Sequence, residues 1–179
     1  MATDADHPPP FKVDLATEAE RFFDDSSLPG DGPPRFVLLL GGVSSGKTWT
    51  RRRRYKRGFV IVDAAEIFIS LSRGGYYDFP DGLAEPMHAI GSLVAARAVA
   101  ERRGVVTEML ATDRERFESV FRAMVGAGYN AEVIWIDCDP AEGARRNAAR
   151  GDYDISAAFC QDFHRQWLLD AVQAAQRPQ

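Results

Sequence analysis

Cysteine is scarce in this 179-residue chain, which contains only Cys138 and Cys160. Two cysteines so far apart predict neither a disulfide framework nor the paired ligands of a zinc site. No apolar run approaches the roughly 20 residues that a membrane-spanning helix needs. The first residues are acidic and lack the basic start and apolar stretch of a secretory signal. We therefore expect a cytoplasmic protein that does not bind a membrane.

Extremes of composition are also missing. Hydrophobic residues make up 45% of the chain and charged residues 27%, close to the averages of soluble globular proteins. These values exclude a disordered or fibrous chain, and the length suits one domain. We predict a flexible N-terminal tail over residues 1–13, which includes three consecutive prolines, and a single domain over residues 14–179.

Charge is unevenly distributed along the chain. Residues 51–57 carry six positive charges, so the remainder of the chain carries −10 if the whole chain carries −4. Like charges three or four residues apart destabilise a helix by a few tenths of a kcal/mol per pair, so something should compensate them. The run Arg51–Arg57 is therefore either a solvated or internally paired helix end, or a site for a nucleic acid or an acidic protein partner.

Short apolar runs alternate with helical patterns from residue 35 onward. The patterns predict strands at 36–40, 58–62, 105–107 and 131–136. They predict helices at 14–25, from the end of the first strand to 57, at 64–72, at 85–103, from 112 to 126, from 140 and at 156–175. Asp14 and Asp139 are the predicted N-caps of the first helix and of the helix from 140. Alternating strands and helices indicate a parallel sheet with helices on both faces, which is an α/β fold.

Residues 41–48 read G-G-V-S-S-G-K-T and match the pattern G-x-x-x-x-G-K-[ST] at every fixed position. The motif follows a predicted buried strand and opens a helix, so its backbone N–H groups and the helix N-terminus should hold phosphate groups. We expect Lys47 to reach the β- and γ-phosphates and Thr48 to bind Mg²⁺. The predicted ligands of ATP or GTP are Gly41, Gly42, Val43, Ser44, Ser45, Gly46, Lys47 and Thr48.

This motif narrows the fold class. We predict the three-layer sandwich of a P-loop NTPase, with a mainly parallel sheet of four to five strands. In such a sheet, ligands bind at the carboxyl ends of the strands.

Three acidic residues near predicted strand ends are candidates for the chemistry. Transfer of a phosphoryl group to an alcohol needs a carboxylate near the acceptor hydroxyl. Asp63, after the second strand, is the predicted general base or ligand of the acceptor hydroxyl, although it could merely cap the next helix. Glu66 lies one turn further on and could share that role in binding the substrate. Glu108, after the third strand, is predicted to orient the substrate or a magnesium-bound water, or else to be a solvated strand-end acid.

Arginines follow the fourth predicted strand. Arg146 and Arg150 are four residues apart and therefore share one face of the predicted helix. We predict that they close over the phosphates and stabilise negative charge in the transition state. A solvated helix face is the alternative.

Four stretches together resemble the zeta-toxin-like P-loop kinases, relatives of chloramphenicol phosphotransferase and other small bacterial kinases. The stretches are the P-loop 41–48, the strand and acid at 59–63, the run 95–108 and the run 126–136. The resemblance implies ATP- or GTP-dependent phosphorylation of a hydroxyl, which in zeta toxins belongs to a nucleotide-activated amino sugar. It implies donor and magnesium binding by Lys47 and Thr48, and a substrate or metal role for Glu108.

One departure from that family pattern bears on catalysis. Zeta toxins carry two acids one residue apart after the second strand, and the second is the usual base. Here the stretch reads Asp63-Ala-Ala-Glu66, with alanine at that second position. Either Asp63 or Glu66 substitutes for the missing acid, or the catalytic step is weakened.

Three functions are consistent with these observations. The first is a kinase that phosphorylates a hydroxyl of a small molecule. The second is a polynucleotide 5′-hydroxyl kinase, in which the basic run guides the nucleic acid. The third is a nucleotide-dependent binding module without catalytic activity, which the missing second acid favours.

Overall fold

A computed structural model describes residues 13–23, 28–71, 81–110 and 114–150. Most of the predicted tail, the last predicted helix at 156–175 and Cys160 lie outside the described residues. The strands are β1 (Arg35–Gly41), β2 (Val60–Val62), β3 (Val105–Leu110) and β4 (Asn130–Trp135). The helices are α1 (Leu15–Glu20), α2 (Lys47–Arg54), α3 (Ala64–Leu71), α4 (Asp81–Ala100), α5 (Arg114–Gly126) and α6 (Pro140–Arg150).

The four strands form one parallel sheet in the order β2-β3-β1-β4. The strand that leads into the P-loop, β1, is central, and its residues from Phe36 to Leu40 are at most 1% exposed. Such a strand is apolar at every position because helices cover both faces of the sheet. The predicted α/β fold of a P-loop domain is confirmed.

Alternate residues of β1 enter two separate hydrophobic clusters. Phe36, Leu38 and Leu40 pack in the larger cluster, which receives side chains from α1, α3, α4 and α5. Val37 and Leu39 pack in a smaller cluster with Tyr55, the residue that ends α2. Successive side chains of a strand point to opposite faces, so the sheet is the middle of three layers.

Several predicted boundaries differ from the observed ones. Helix α2 ends at Arg54 rather than Arg57, because Tyr55 leaves the helical conformation with φ −126° and is buried. Strand β3 continues to Leu110, since its pairing with β1 extends to the end of that strand. Glu108 therefore lies within β3 rather than after it. Helix α4 begins at Asp81, four residues before the predicted start, and includes Pro86 in its second turn.

Helix α1 lies against α4. The predicted N-cap is confirmed, because Asp14 Oδ1 accepts hydrogen bonds from the backbone N–H groups of Ala16 and Thr17 at 3.1 and 3.3 Å. Arg97 of α4 pairs with Glu20 at 2.6 Å and lies over the ring of Phe23, 4.1 Å from its centroid.

Among the described residues, no helix is both long and apolar enough to cross a membrane.

Candidate active site

The turn between β1 and α2 has the backbone geometry that its glycines require. Gly46 has φ +105° and Ser44 has φ +53°, both in the left-handed region, where glycine is the least strained residue. A Cβ at Gly41 would lie 2.6 Å from Ser45 Oγ and 2.8 Å from the backbone oxygen of Ile136, so no side chain fits there. A Cβ at Gly42 would meet nothing within 4 Å, which shows that the turn is open at that residue.

Lys47 lies across this turn. Its ammonium donates hydrogen bonds to the backbone oxygens of Gly41 at 3.0 Å and Gly42 at 2.7 Å, and the residue is buried. A positive charge is thus held directly over the glycine turn at the N-terminus of α2. The turn and this charge fit the phosphate tail of a nucleotide.

Thr48 and Glu108 bring the first turn of α2 together with β3. The Thr48 hydroxyl donates to Glu108 Oε2 at 2.8 Å, and the Glu108 side chain is only 7% exposed. Glu108 lies opposite Leu39 in the register of β3 with β1, which places its carboxylate beside the P-loop. A hydroxyl and a carboxylate are the oxygen ligands that Mg²⁺ accepts, so this pair fits the predicted cation.

Arg51 is a site residue that the sequence prediction missed. Its Nε donates to Glu108 Oε1 at 2.5 Å, its second terminal nitrogen donates to Glu66 Oε1 at 2.6 Å, and its side chain is 2% exposed. Burial opposes the charge, but the bonds to the two carboxylates outweigh it and raise the pKa of Arg51. The sequence holds one signal for this role, because Arg51 is three residues after Thr48 and so shares its helix face.

Asp63 and Glu66 differ sharply in their surroundings. Asp63 directly follows β2, is 7% exposed, and accepts a hydrogen bond from the Glu66 N–H at 3.0 Å through Oδ1. Burial first and the charge of Glu108 second raise the pKa of Asp63 to about 6. Burial would also raise the pKa of Glu66, but the hydrogen bonds from Arg51 and Arg52 outweigh it and lower that pKa.

Helix α6 contacts the P-loop through Gly143 and Asn147. Asp139 Oδ1 accepts from the N–H groups of Ala141 and Glu142 at 2.9 and 3.2 Å, which confirms the predicted start of this helix at Pro140. A Cβ at Gly143 would lie 3.0 Å from the backbone oxygen of Val43. The Ser44 hydroxyl donates to the buried Asn147 Oδ1 at 3.4 Å.

Arg146 lies on this helix, one residue before the contact of Asn147 with the P-loop. Its Nε donates to Glu142 Oε1 at 2.6 Å, and Arg145 also binds Glu142. Arg150 ends the helix, and its side chain lies outside the described residues. The predicted action of Arg146 and Arg150 on the phosphates therefore stays a prediction.

Residues 36–175 match a protein family described as "AAA domain". The chain belongs to this AAA domain family. The matched residues include the P-loop, Arg51, the three acidic residues and α6, so all of the candidate site lies within the AAA domain. No curated protein matches the sequence significantly.

Solved structures share the fold of this AAA domain. The toxin–antitoxin system PezAT of Streptococcus pneumoniae contains a chain with TM-score 0.59 and 15% identity, over 76% of this chain and 60% of that one. A chain of the Pnkp1/Rnl/Hen1 RNA repair complex has TM-score 0.56 and 16% identity, over 82% and 46%. A chain of the AvrRxo1-ORF1:AvrRxo1-ORF2 complex has TM-score 0.51 and 14% identity, over 74% and 43%.

At these identities the likeness shows the fold, and this AAA domain spans no more than 60% of any of the three chains. The predicted resemblance to small P-loop kinases is confirmed. The AAA domain thus carries a P-loop in a parallel α/β fold that these three chains share.

Proposed function

We propose that the chain is a kinase that transfers the γ-phosphoryl group of ATP or GTP to a hydroxyl group of a small molecule. A nucleotide-activated sugar is the acceptor that the resemblance to zeta toxins suggests. The observation that carries the proposal is the combination of a P-loop with a buried carboxylate, Asp63, whose pKa is raised to about 6.

The donor side of the proposal rests on Lys47 and Thr48. Lys47 holds a positive charge over the glycine turn, where it would neutralise the phosphate tail of the nucleotide. Thr48 donates a hydrogen bond to Glu108 and would hold Mg²⁺. Glu108 would orient either the Mg²⁺ ion or the acceptor. When bound, Mg²⁺ supplies charge neutralisation on the β- and γ-phosphate oxygens.

The choice of general base rests on the contrast between two acids. Glu66 is paired with two arginines, which makes its carboxylate a weak proton acceptor. Asp63 uses Oδ1 to cap α3, and no described residue donates a hydrogen bond to its Oδ2. A carboxylate with a pKa near 6 is ionised at neutral pH and is a stronger base than an ordinary aspartate. We therefore assign the base to Asp63, which would take the proton of the acceptor hydroxyl, and a substrate-binding role to Glu66.

The proposal is tested with the purified full chain, Mg²⁺ and ATP or GTP labelled at the γ-phosphate, incubated with a cell metabolite extract. We expect a labelled small molecule whose identification names the acceptor. Lys47→Ala should abolish labelling, because it removes the charge over the P-loop. Asp63→Asn should lower the rate by about 10²- to 10⁴-fold, the usual effect of losing a general base, and leave nucleotide binding intact.

Asp31→Asn is the matched control, because it makes the same chemical change at an exposed aspartate in the loop before β1. Full activity of Asp63→Asn would show that Asp63 is not the base. Tight nucleotide binding without transfer to any acceptor would favour a binding module. Labelling of oligonucleotide 5′ ends would favour a polynucleotide kinase.

A further inference from the structure

The outward face of α2 combines an exposed aromatic ring with exposed cations. Trp49 is 65% exposed, although it directly follows the half-buried Thr48 that ends the P-loop. Arg53 follows four residues later on the same helix face, and its guanidinium carbon lies 5.1 Å from the centroid of the Trp49 ring. Arg52, three residues after Trp49, has a side chain that is 62% exposed. Together Trp49, Arg52 and Arg53 form what we call the α2 outer surface.

Positive charge near this surface is largely uncompensated. Within the described ranges, no carboxylate forms an ion pair with Arg53, Arg54, Lys56 or Arg57, all of which are exposed. Several exposed arginines on other helices are paired, namely Arg114 and Arg122 with Glu118, and Arg145 and Arg146 with Glu142. Since the chain outside residues 51–57 is acidic, this surface is a local excess of positive charge that an anionic partner would compensate.

We propose that the α2 outer surface binds single-stranded nucleic acid, with an unpaired base stacked on Trp49 and Arg53 and with phosphates near the surrounding cations. Aromatic rings beside a positively charged groove are the general means by which proteins hold single strands without reading their sequence. An acidic protein would use the cations but has no need of an exposed indole ring. The combination of ring and charge therefore favours a nucleic acid as the partner.

This surface adjoins the candidate active site but presents its ring and its unpaired charge elsewhere. Thr48 and Arg51 turn toward Glu108, whereas Trp49 and Arg53 are exposed. Arg52 lies at the border of the two faces, because it pairs with Glu66. The proposal does not depend on the kinase activity. Either proposal can fail without the other, because nucleotide binding and nucleic-acid binding are measured separately.

The test measures fluorescence anisotropy of labelled 12-nucleotide single strands of RNA and of DNA, titrated with the full chain at several salt concentrations. We expect binding that weakens as salt rises, because each phosphate contact contributes about −0.7 to the slope of log K against log salt for single strands. Trp49→Ala should weaken binding by about 5- to 100-fold, the usual effect of losing one stacked base. Trp49→Phe should retain most of the affinity.

Charge variants provide a second, independent measurement. The double variant Arg53→Gln with Lys56→Gln should reduce the salt slope by about 1.4 if both side chains contact phosphates. The matched control is Arg114→Gln with Arg122→Gln, which removes two exposed charges from α5 and should leave the slope unchanged. Both double variants should unfold in urea at the same midpoint as the natural chain, which shows that the fold is retained.

Three results would overturn the proposal. One is the absence of binding to either strand at low salt. Another is a Trp49→Ala variant, or an Arg53→Gln with Lys56→Gln variant, that binds the strands as tightly as the natural chain. The third is tight binding of a poly-glutamate peptide, with an affinity equal to that of the oligonucleotides and unchanged by Trp49→Ala. That result would identify a surface for acidic proteins.

Discussion

The two faces of α2 place the same residue type in opposite environments. Arg51, on the inner face, is buried and bonded to Glu108 and Glu66. Arg53, only two residues later, is exposed and lies over the ring of Trp49. Two residues on a helix are about 200° apart, so neighbouring members of one arginine run meet different surroundings. The comparison shows that arginines adjacent in sequence can have different environments and different roles in a folded protein.

Burial also determines how much each arginine contributes to the stability of the folded chain. A charge removed from water has to be compensated by partners, and loss of one partner leaves the others buried and unpaired. An exposed charge remains solvated whether or not it has a partner, so its loss changes little. The inner face of α2 should therefore be sensitive to substitution and the outer face tolerant.

The largest expected effect is that of Arg51→Met, which keeps much of the side-chain volume and removes the charge. Glu108 and Glu66 lose their bonds to Arg51, and we expect a loss of about 3–5 kcal/mol in the free energy of unfolding. Urea unfolding followed by circular dichroism measures it. The same change at Arg53 is the control, and equal effects at the two positions would contradict the comparison.

Arg51→Lys sharpens this test. It restores the charge but not the two-pronged geometry with which a guanidinium bonds two carboxylates. We expect its stability to lie between that of the natural chain and that of Arg51→Met. A lysine variant no more stable than the methionine variant would show that geometry, not charge, is what Glu108 and Glu66 require.

The second effect concerns Asp63, an inner carboxylate that forms no ion pair with any arginine in the described part of the chain. Its pKa is raised from 3.8 to about 6, so ionised Asp63 destabilises the folded chain at neutral pH. Asp63→Asn keeps the oxygen that accepts from the Glu66 N–H and removes the charge. We expect the variant to be more stable than the natural chain by about 3 kcal/mol at pH 8, since each pKa unit corresponds to about 1.4 kcal/mol.

The sign of the pH dependence follows from proton binding. Between pH 3.8 and about 6 the folded chain holds the Asp63 proton more tightly than the unfolded chain does. The contribution of Asp63 to stability therefore falls as the pH rises through this window. Urea unfolding at several pH values should show the gap between the natural chain and Asp63→Asn widening from pH 4 to pH 7. A gap that stays constant with pH would contradict the raised pKa of Asp63.

The smallest effect is expected for the arginine that shares Glu66 with Arg51. Arg52 pairs with Glu66 Oε1 at 3.0 Å, but its side chain is mostly exposed. Arg52→Gln should therefore cost no more than about 1 kcal/mol in the free energy of unfolding, as is usual for exposed ion pairs. Thermal unfolding at low and high salt measures it, and a loss as large as that of Arg51→Met would show that exposure does not decide the outcome.

Local patterns predicted much of the fold. The apolar run before the P-loop, the Asp14 and Asp139 caps and the glycine turn all depend on neighbouring residues, and the structure places them as predicted. The ends of elements were predicted less well. Strand β3 continues three residues beyond its predicted end at residue 107, because it pairs with β1 as far as Leu110. The sequence of β3 alone does not show this pairing.

The residues of the candidate site also differ in whether the sequence alone predicts them. Lys47 and Thr48 belong to a motif whose chemistry follows from spacing along the chain. The partners of Arg51 lie 15 and 57 residues away in sequence, so only the packing of α2 against β3 and α3 could identify them. The difference between Asp63 and Glu66 likewise depends on which acid lies near an arginine.

The sequence by itself therefore determined a phosphate-binding turn, a parallel sheet and the three acids near its edge, because each follows from residues close together in the chain. The tertiary structure alone decided that Arg51 is buried while Arg53 is exposed, and that Glu66 is paired while the pKa of Asp63 is raised. The physical reason is that burial and charge pairing depend on distances between segments far apart in sequence, which a linear pattern does not specify.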